Sequence, residues 1–229
     1  MRDFSRANGY SYTFRDYLNR TFLTMGLGLG ISTIVAYLIA LNPRFLYSSG
    51  LSLIACLAQL GLAFYFGGCL TTMSKKTAWI CFIAYSALMG FSLSAIIFVY
   101  SYSSVVLALF TTTVLFFCMA FIGKTTNFDL TNLSSLFAVG LIAMIVVSLV
   151  NTFLLHSSGV EMILCYVGII LFLGLIAYDV QRLRYFYSQG FYDAEMMEKA
   201  MVYGAFQLYL DFINLFLRIL QFFGRRRND

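Results

Sequence analysis

Two carboxylates stand where a carboxylate costs most. Asp179 lies in "LIAYDVQRLR" (175–184) and Asp211 in "LYLDFINLFLRIL" (208–220), each within a run rich in Leu, Ile, Phe and Tyr. Of the ten acidic residues, only these two sit well inside apolar runs. An aspartate at the centre of a membrane helix costs about 2.5–3.5 kcal/mol on insertion scales, so it turns toward the interior of a bundle and finds a partner there. Such a group marks an ion or proton path, or it makes a structural hydrogen bond.

The neighbours of Asp211 are ordered. Gln207, Asp211, Asn214 and Arg218 follow at spacings of four, three and four, which puts them on one helical stripe. Gly204 and Gln221 extend the stripe, while Phe206, Leu210, Phe212, Ile213 and Phe216 cover much of the remainder. Lipid rejects such a seam, so this helix is expected to pack centrally or to line an aqueous path. Asp179 has Arg182 at i+3. A plain ion pair at the membrane interface is one reading of Asp179, and a hydrogen bond to Asn or Gln groups of a neighbouring helix is one reading of Asp211.

The elements that carry these residues follow from composition. The chain has 229 residues, 61% of them hydrophobic and 11% charged, with one proline. A soluble domain is about a quarter charged, so the solvent of this chain is a bilayer. Seven apolar segments are legible, at about 21–41, 51–73, 79–101, 104–123, 133–155, 160–182 and 200–222. Each approaches the ~20 residues of a spanning helix. The runs are continuous, without the alternation of a membrane barrel. The fold class is all-α: a cytoplasmic N-terminal segment (1–20), a single seven-helix transmembrane domain (21–222) and a basic C-terminal tail (223–229). The first apolar run is too long for a cleavable signal, so an uncleaved first span is expected.

Charge sets the orientation. With the N-terminus inside, the inner side holds Arg2, Arg6, Arg15, Arg20, Lys75, Lys76, Lys124, Arg182, Arg184 and Lys199, and the outer loops hold Arg44 alone. This predicts a cytoplasmic N-terminus. Arg225, Arg226 and Arg227 in the tail run against the rule if the seventh helix crosses fully. The basic loops read as topogenic and lipid-facing, with no call for nucleic acid. The five cysteines (56, 69, 81, 118 and 165) form no C-x-x-C pair and read as buried free thiols. His156 has no Cys or His neighbour to make a metal site. Nucleotide-binding and hydrolase motifs are absent, so no catalytic residue and no cofactor is expected. Gly26 with Gly30, and Ser86 with Gly90 and Ser94, are spaced at four and predict close helix packing. Ser148, Asn151 and Thr152 are candidates for bonds across helices.

Four stretches in order carry a family resemblance: "ALMGFSLSAIIFVY" (87–100), "FIGKTTNFDLTNLSSLFAVGLIAMIVVSLVN" (121–151), "GLIAYDVQRL" (174–183) and "LYLDFINLFLRIL" (208–220). Together they resemble the Bax inhibitor family, also called the transmembrane Bax-inhibitor-motif family, in a bacterial-type form. The resemblance implies seven helices with the last at the centre. It also implies a buried aspartate pair that senses pH and gates a slow calcium leak. The motif residues fall on Tyr178, Asp179 and Gln181, and on Asp211. Asp179 and Asp211 are thereby implied as the pH-sensing ion pathway and as calcium ligands. Gln207, Asn214, Arg182 and Arg218 are candidate supporting polar groups. Ala95 replaces the family's proline in "LSP", so a kink there has no proline to cause it. The second span carries Gln59 but no charge, so a basic latch on the aspartates falls to Arg182 or Arg218.

The physics of such a pair is simple. Two carboxylates at contact in low dielectric share a proton. The shared bond ties two helices, and its loss leaves an oxygen site for calcium, a hard cation. The implied function is a pH-sensitive cation leak with calcium as the permeant ion. The alternative is a regulatory membrane protein that modulates a membrane protease or stress and cell-death machinery through protein contacts. An intramembrane aspartyl protease is disfavoured by the flanking motifs. The expected location is a bacterial inner (plasma) membrane, and the expected partners are the lipid bilayer, calcium or other cations, and other membrane proteins.

The charge bias makes a direct prediction. Reporters fused at Asn8 and Gln189 report the cytoplasm, and one in the 156–159 loop reports the opposite side. A Gln189 fusion on the outer side would reverse the assignment of the sixth span.

Overall fold

The computed structural model describes residues 13–42, 49–69, 72–190 and 194–224. The N-terminal arginines Arg2 and Arg6, Arg44, and the tail arginines Arg225–Arg227 lie outside these residues. The described chain is helical: α1 (Phe14–Leu41), α2 (Ser49–Gly68), α3 (Lys75–Leu93), α4 (Ile96–Val99), α5 (Tyr102–Thr125), α6 (Ser134–Val150), α7 (Ser158–Gln189) and α8 (Ala194–Phe223). A 3₁₀ turn (Leu130–Leu133) leads into α6 and a π turn (Asn151–Leu155) follows it. Seven stretches are long and apolar enough to cross a bilayer, α3 with α4 and α6 with its flanking turns each counting as one. The chain is a multi-pass membrane protein.

Two local features depart from expectation. The first helix begins at Phe14, before the apolar run. A capping box starts it there: Thr13 Oγ1 accepts from Asp16 N at 3.2 Å, and Thr13 N donates to Asp16 Oδ2 at 3.0 Å. The third span breaks between Leu93 and Ile96 although proline is missing. Ser94 supplies the reason, because its hydroxyl bonds back to Phe91 O at 2.5 Å and its N–H is shared between Gly90 O and Phe91 O.

The described chain forms two compact units. One comprises the residues up to Val99 with Phe186–Tyr209, and the other Tyr100–Tyr185 with the residues from Leu210 on. In the first, α1 and α3 touch backbone to backbone. A methyl built on Gly90 would lie 2.5 Å from Ser32 O, and one on Gly28 would meet the Phe82 ring. The packing stripe on α1 is therefore Gly28 and Ser32, not Gly26 and Gly30, which have open space around them. Two residues along a helix turn about 200°, so the two stripes lie on nearly opposite faces. The first half of α8 joins this unit through Phe206, whose ring meets Phe66 at 4.8 Å and Tyr85 at 4.9 Å.

In the second unit α5 meets α7 at Gly123, where a methyl would strike the Ala177 carbonyl. The second half of α8 packs there, with Phe212 against Phe116 at 5.6 Å. In the most apolar window of α8, 67% of residues are buried, against 6% in the span that contains α6. The apolar flank of α8 is more buried than its seam: Phe206, Phe212, Ile213 and Phe216 are buried, whereas of the seam Asp211 is buried and Gln207, Asn214 and Arg218 are half-buried. All five cysteines are free, but only Cys81 and Cys165 are buried, while Cys56 and Cys118 point outward.

These contacts separate two kinds of glycine. Gly123→Ala forces α5 away from a backbone carbonyl, and a loss of about 1–3 kcal/mol is expected. Gly26→Ala adds a methyl in open space and is expected to cost nothing. Thermal unfolding of the two purified variants checks the contrast, and equal midpoints would refute the close α5–α7 approach.

Candidate functional site

The second unit brings Asp179 of α7 and Asp211 of α8 together. Their carboxyl groups stand within hydrogen-bonding reach of each other. Both are buried, at 7% and 6% exposure. An ionised carboxylate only accepts hydrogen bonds, so a bond between the two needs one proton held between them. Asp211 Oδ2 is buried and has no hydrogen-bond partner among the described residues. Orphaned oxygens of this kind are uncommon in native interiors and call for an explanation.

The surroundings sort the sequence candidates. Arg182 lies near enough to act electrostatically on Asp179, as its i+3 position allows. Asn214 turns its amide to its own helix, donating to Leu210 O at 2.8 Å. Gln207 stands one turn before Asp211, on the half of α8 that belongs to the other unit, and makes no side-chain hydrogen bond among the described residues. Arg218 lies seven residues beyond Asp211, about 10 Å along the axis. Its Nη1 donates to Gln221 Oε1 at 3.1 Å. Of the two candidate latches, Arg182 is thus the one that acts on the pair, and Arg218 is committed elsewhere.

The other motif residues hold α7 in place. Gln181 brackets the segment before α6: its Oε1 accepts from Leu130 N at 2.7 Å, and its Nε2 donates to Phe128 O at 2.7 Å. Both ends of the amide are satisfied, so this side chain clamps the loop two residues from Asp179. Asp129 in that loop accepts from Thr131 Oγ1 and N, which holds its carboxyl below the usual carboxylate range. The Tyr178 ring lies 5.5 Å from Phe137 of α6. Among the described residues no group of three or more His, Cys, Asp or Glu side chains converges to hold a metal. Calcium favours six to eight oxygens, more than the two carboxyl groups supply.

Two clusters escape sequence reasoning. In the first unit Tyr209 Oη, Ser32 Oγ and Ser86 O are linked at 2.6 and 2.7 Å. No spacing joins residues so far apart in the chain. In the second, Gln221 Nε2 donates to Glu161 Oε1 at 2.7 Å, which extends the Arg218 bond across to α7. The position of Gln221 on the α8 stripe was the one available signal. Asn151 and Thr152 bond locally, to Ser157 and to Ser148 O, and not across helices as anticipated.

Comparisons with known proteins show the family. Residues 14–228 match the family described as Inhibitor of apoptosis-promoting Bax1. An uncharacterized protein of Borreliella burgdorferi is 39% identical over 217 residues, covering 93% of each chain. Uncharacterized protein RP147 of Rickettsia prowazekii is 36% identical over 227 residues, 98% of this chain and 95% of that one. Inner membrane protein YbhL of Escherichia coli K12 is 35% identical over 216 residues, 92% of each. With a family match over nearly its whole length and relatives of full length at this identity, the chain belongs to the Bax inhibitor family of multi-pass membrane proteins.

Proposed function

We propose that this chain is a pH-sensitive cation leak, with calcium the favoured ion, gated by Asp179 and Asp211. The observation that carries the reading is the pair itself: two buried carboxyl groups on different helices, within hydrogen-bonding reach. Held by one proton, the pair ties α7 to α8. Loss of the proton replaces a hydrogen bond by two like charges and pushes the helices apart. The same event exposes carboxylate oxygens to a cation. Arg182 is the charged group acting on the pair from α7, and it offsets part of the new negative charge. The protein resides in a bacterial plasma membrane with its N-terminus in the cytoplasm. The charge bias of the loops and the inner-membrane name of the Escherichia coli relative support that placement.

Calcium needs deprotonated ligands and competes with the shared proton, so calcium occupancy rises as pH rises. The pair takes up and releases its proton as a couple. Calcium flux into liposomes holding only the purified protein is therefore expected to depend on pH. Asp179→Asn and Asp211→Asn each abolish that dependence, and the double variant adds little, as for groups that act as one unit. Absent wild-type flux, or a pH profile unchanged in both single variants, would remove the leak reading and favour regulation through protein contacts.

A further inference from the structure

The far end of the seam from the aspartates opens into a cavity of about 480 Å³ within the second unit. It lies where the spans ending at Leu155 and beginning at Ser158 are joined, and is therefore at a bilayer surface. Its walls include Ser148, His156, Ser157, Glu161, Arg218 and Gln221. Irregular backbone frames it: the π turn Asn151–Leu155 ends on His156 in the left-handed region (φ 48). Asn151 pins the corner, with Oδ1 accepting from Ser157 N at 3.0 Å and Nδ2 donating to Ser157 O at 3.2 Å.

The charges in this cavity are held in place but not paired. The Arg218 stem lies across Gly168, where a methyl would come within 3.0 Å of Arg218 Nε. Gln221 stands between the charges, accepting from Arg218 and donating to Glu161. Among the described residues these are the only side-chain hydrogen bonds of Arg218 and Glu161, so each keeps capacity to bind a ligand. One cation and one anion leave the site neutral overall. A second cavity, about 230 Å³, adjoins across the Gln221–Glu161 bridge, with Met162, Cys165, Phe222 and Tyr100 in its walls.

We propose that these two cavities form a binding site for a phospholipid whose head group carries an ammonium beside its phosphate, as in phosphatidylethanolamine. The phosphate takes the Arg218 fork, which suits it geometrically. The ammonium takes Glu161, and the start of an acyl chain lies against Met162, Cys165 and Phe222 in the smaller cavity. A neutral pair of separated charges matches a zwitterion better than an anionic lipid, and the site's place at a bilayer surface beside Met162 and Phe222 favours a lipid over a soluble zwitterion.

The test is a lipid titration of the full chain in detergent, read by native mass spectrometry and by thermal stability. Phosphatidylethanolamine is expected to bind saturably and to outcompete phosphatidylglycerol, which lacks the ammonium. Glu161→Gln and Arg218→Gln each weaken it about tenfold or more, as for a lost charged hydrogen bond. Glu161→Gln also erases the preference over phosphatidylglycerol, a ratio that a general loss of stability does not move. Equal affinity of the wild type for the two lipids, or a preference intact in Glu161→Gln, would overturn the proposal. Soluble glycerophosphoethanolamine saturating at the same concentration as the lipid would overturn the lipid assignment in favour of a free zwitterion.

Discussion

Hydrocarbon does not solvate a carboxylate, and the second unit is organised around that constraint. Asp211 is buried, on the span with the highest buried share among the described residues. Its partner is another acid, and two acids agree only through a shared proton. The rest of the unit brings Asp179 to that position. Gly123 admits α5 onto the α7 backbone at Ala177, two residues from Asp179, and Gln181 clamps the loop two residues beyond it. A bulky residue at 123, or an apolar one at 181, would act on the pair without touching it.

The first unit meets the same constraint in another way. Its buried polar groups include hydroxyls bonded to carbonyls and to one another, and the Lys199 ammonium, which donates to Met73 O at 3.1 Å. Ser32 bonds Gly28 O, Ser86 O and the Tyr209 hydroxyl, and Ser86 bonds Phe82 O. Bonds of this kind ask for no proton to arrive or leave, so they hold packing and do not switch it. The single helix α8 therefore carries two regimes. Its first half is held by aromatic rings, the Tyr209 hydroxyl and Lys199, and its second half by Phe212 against Phe116 beside the aspartate pair.

The seam on α8 divides as well. Asp211 belongs to the aspartate pair, Asn214 to its own backbone, and Arg218 with Gln221 to the cavity at the helix end. One stripe thus serves separate tasks along about 15 Å of axis between Asp211 and Gln221. Had Arg218 turned toward Asp211, an ion pair would have removed the need for a shared proton. Its distance along the helix and the gap offered by Gly168 prevent that.

Much of this was legible in the residues alone. Seven uninterrupted apolar runs require seven spanning helices, because hydrocarbon tolerates no unpaired backbone and offers no other continuous solution to such runs. The four-three-four spacing of Gln207, Asp211, Asn214 and Arg218 placed them on one stripe. Asp179 stood out with Asp211 as an acid inside an apolar run, and the resemblance paired the two. What the sequence left open was decided by contacts between distant segments. Gly26 with Gly30 and Gly28 with Ser32 satisfy the same helical period, and only the facing Phe82 and Gly90 select the second stripe. Ala95 removed the expected cause of a kink, yet the Ser94 hydroxyl breaks the helix through a bond that composition does not advertise. Arg182 and Arg218 were equal candidates for the aspartates until packing turned one toward Asp179 and the other to Gln221. Periodicity along one helix says which residues share a face; which face meets which partner depends on shape complementarity between helices, and that exists only in the folded chain.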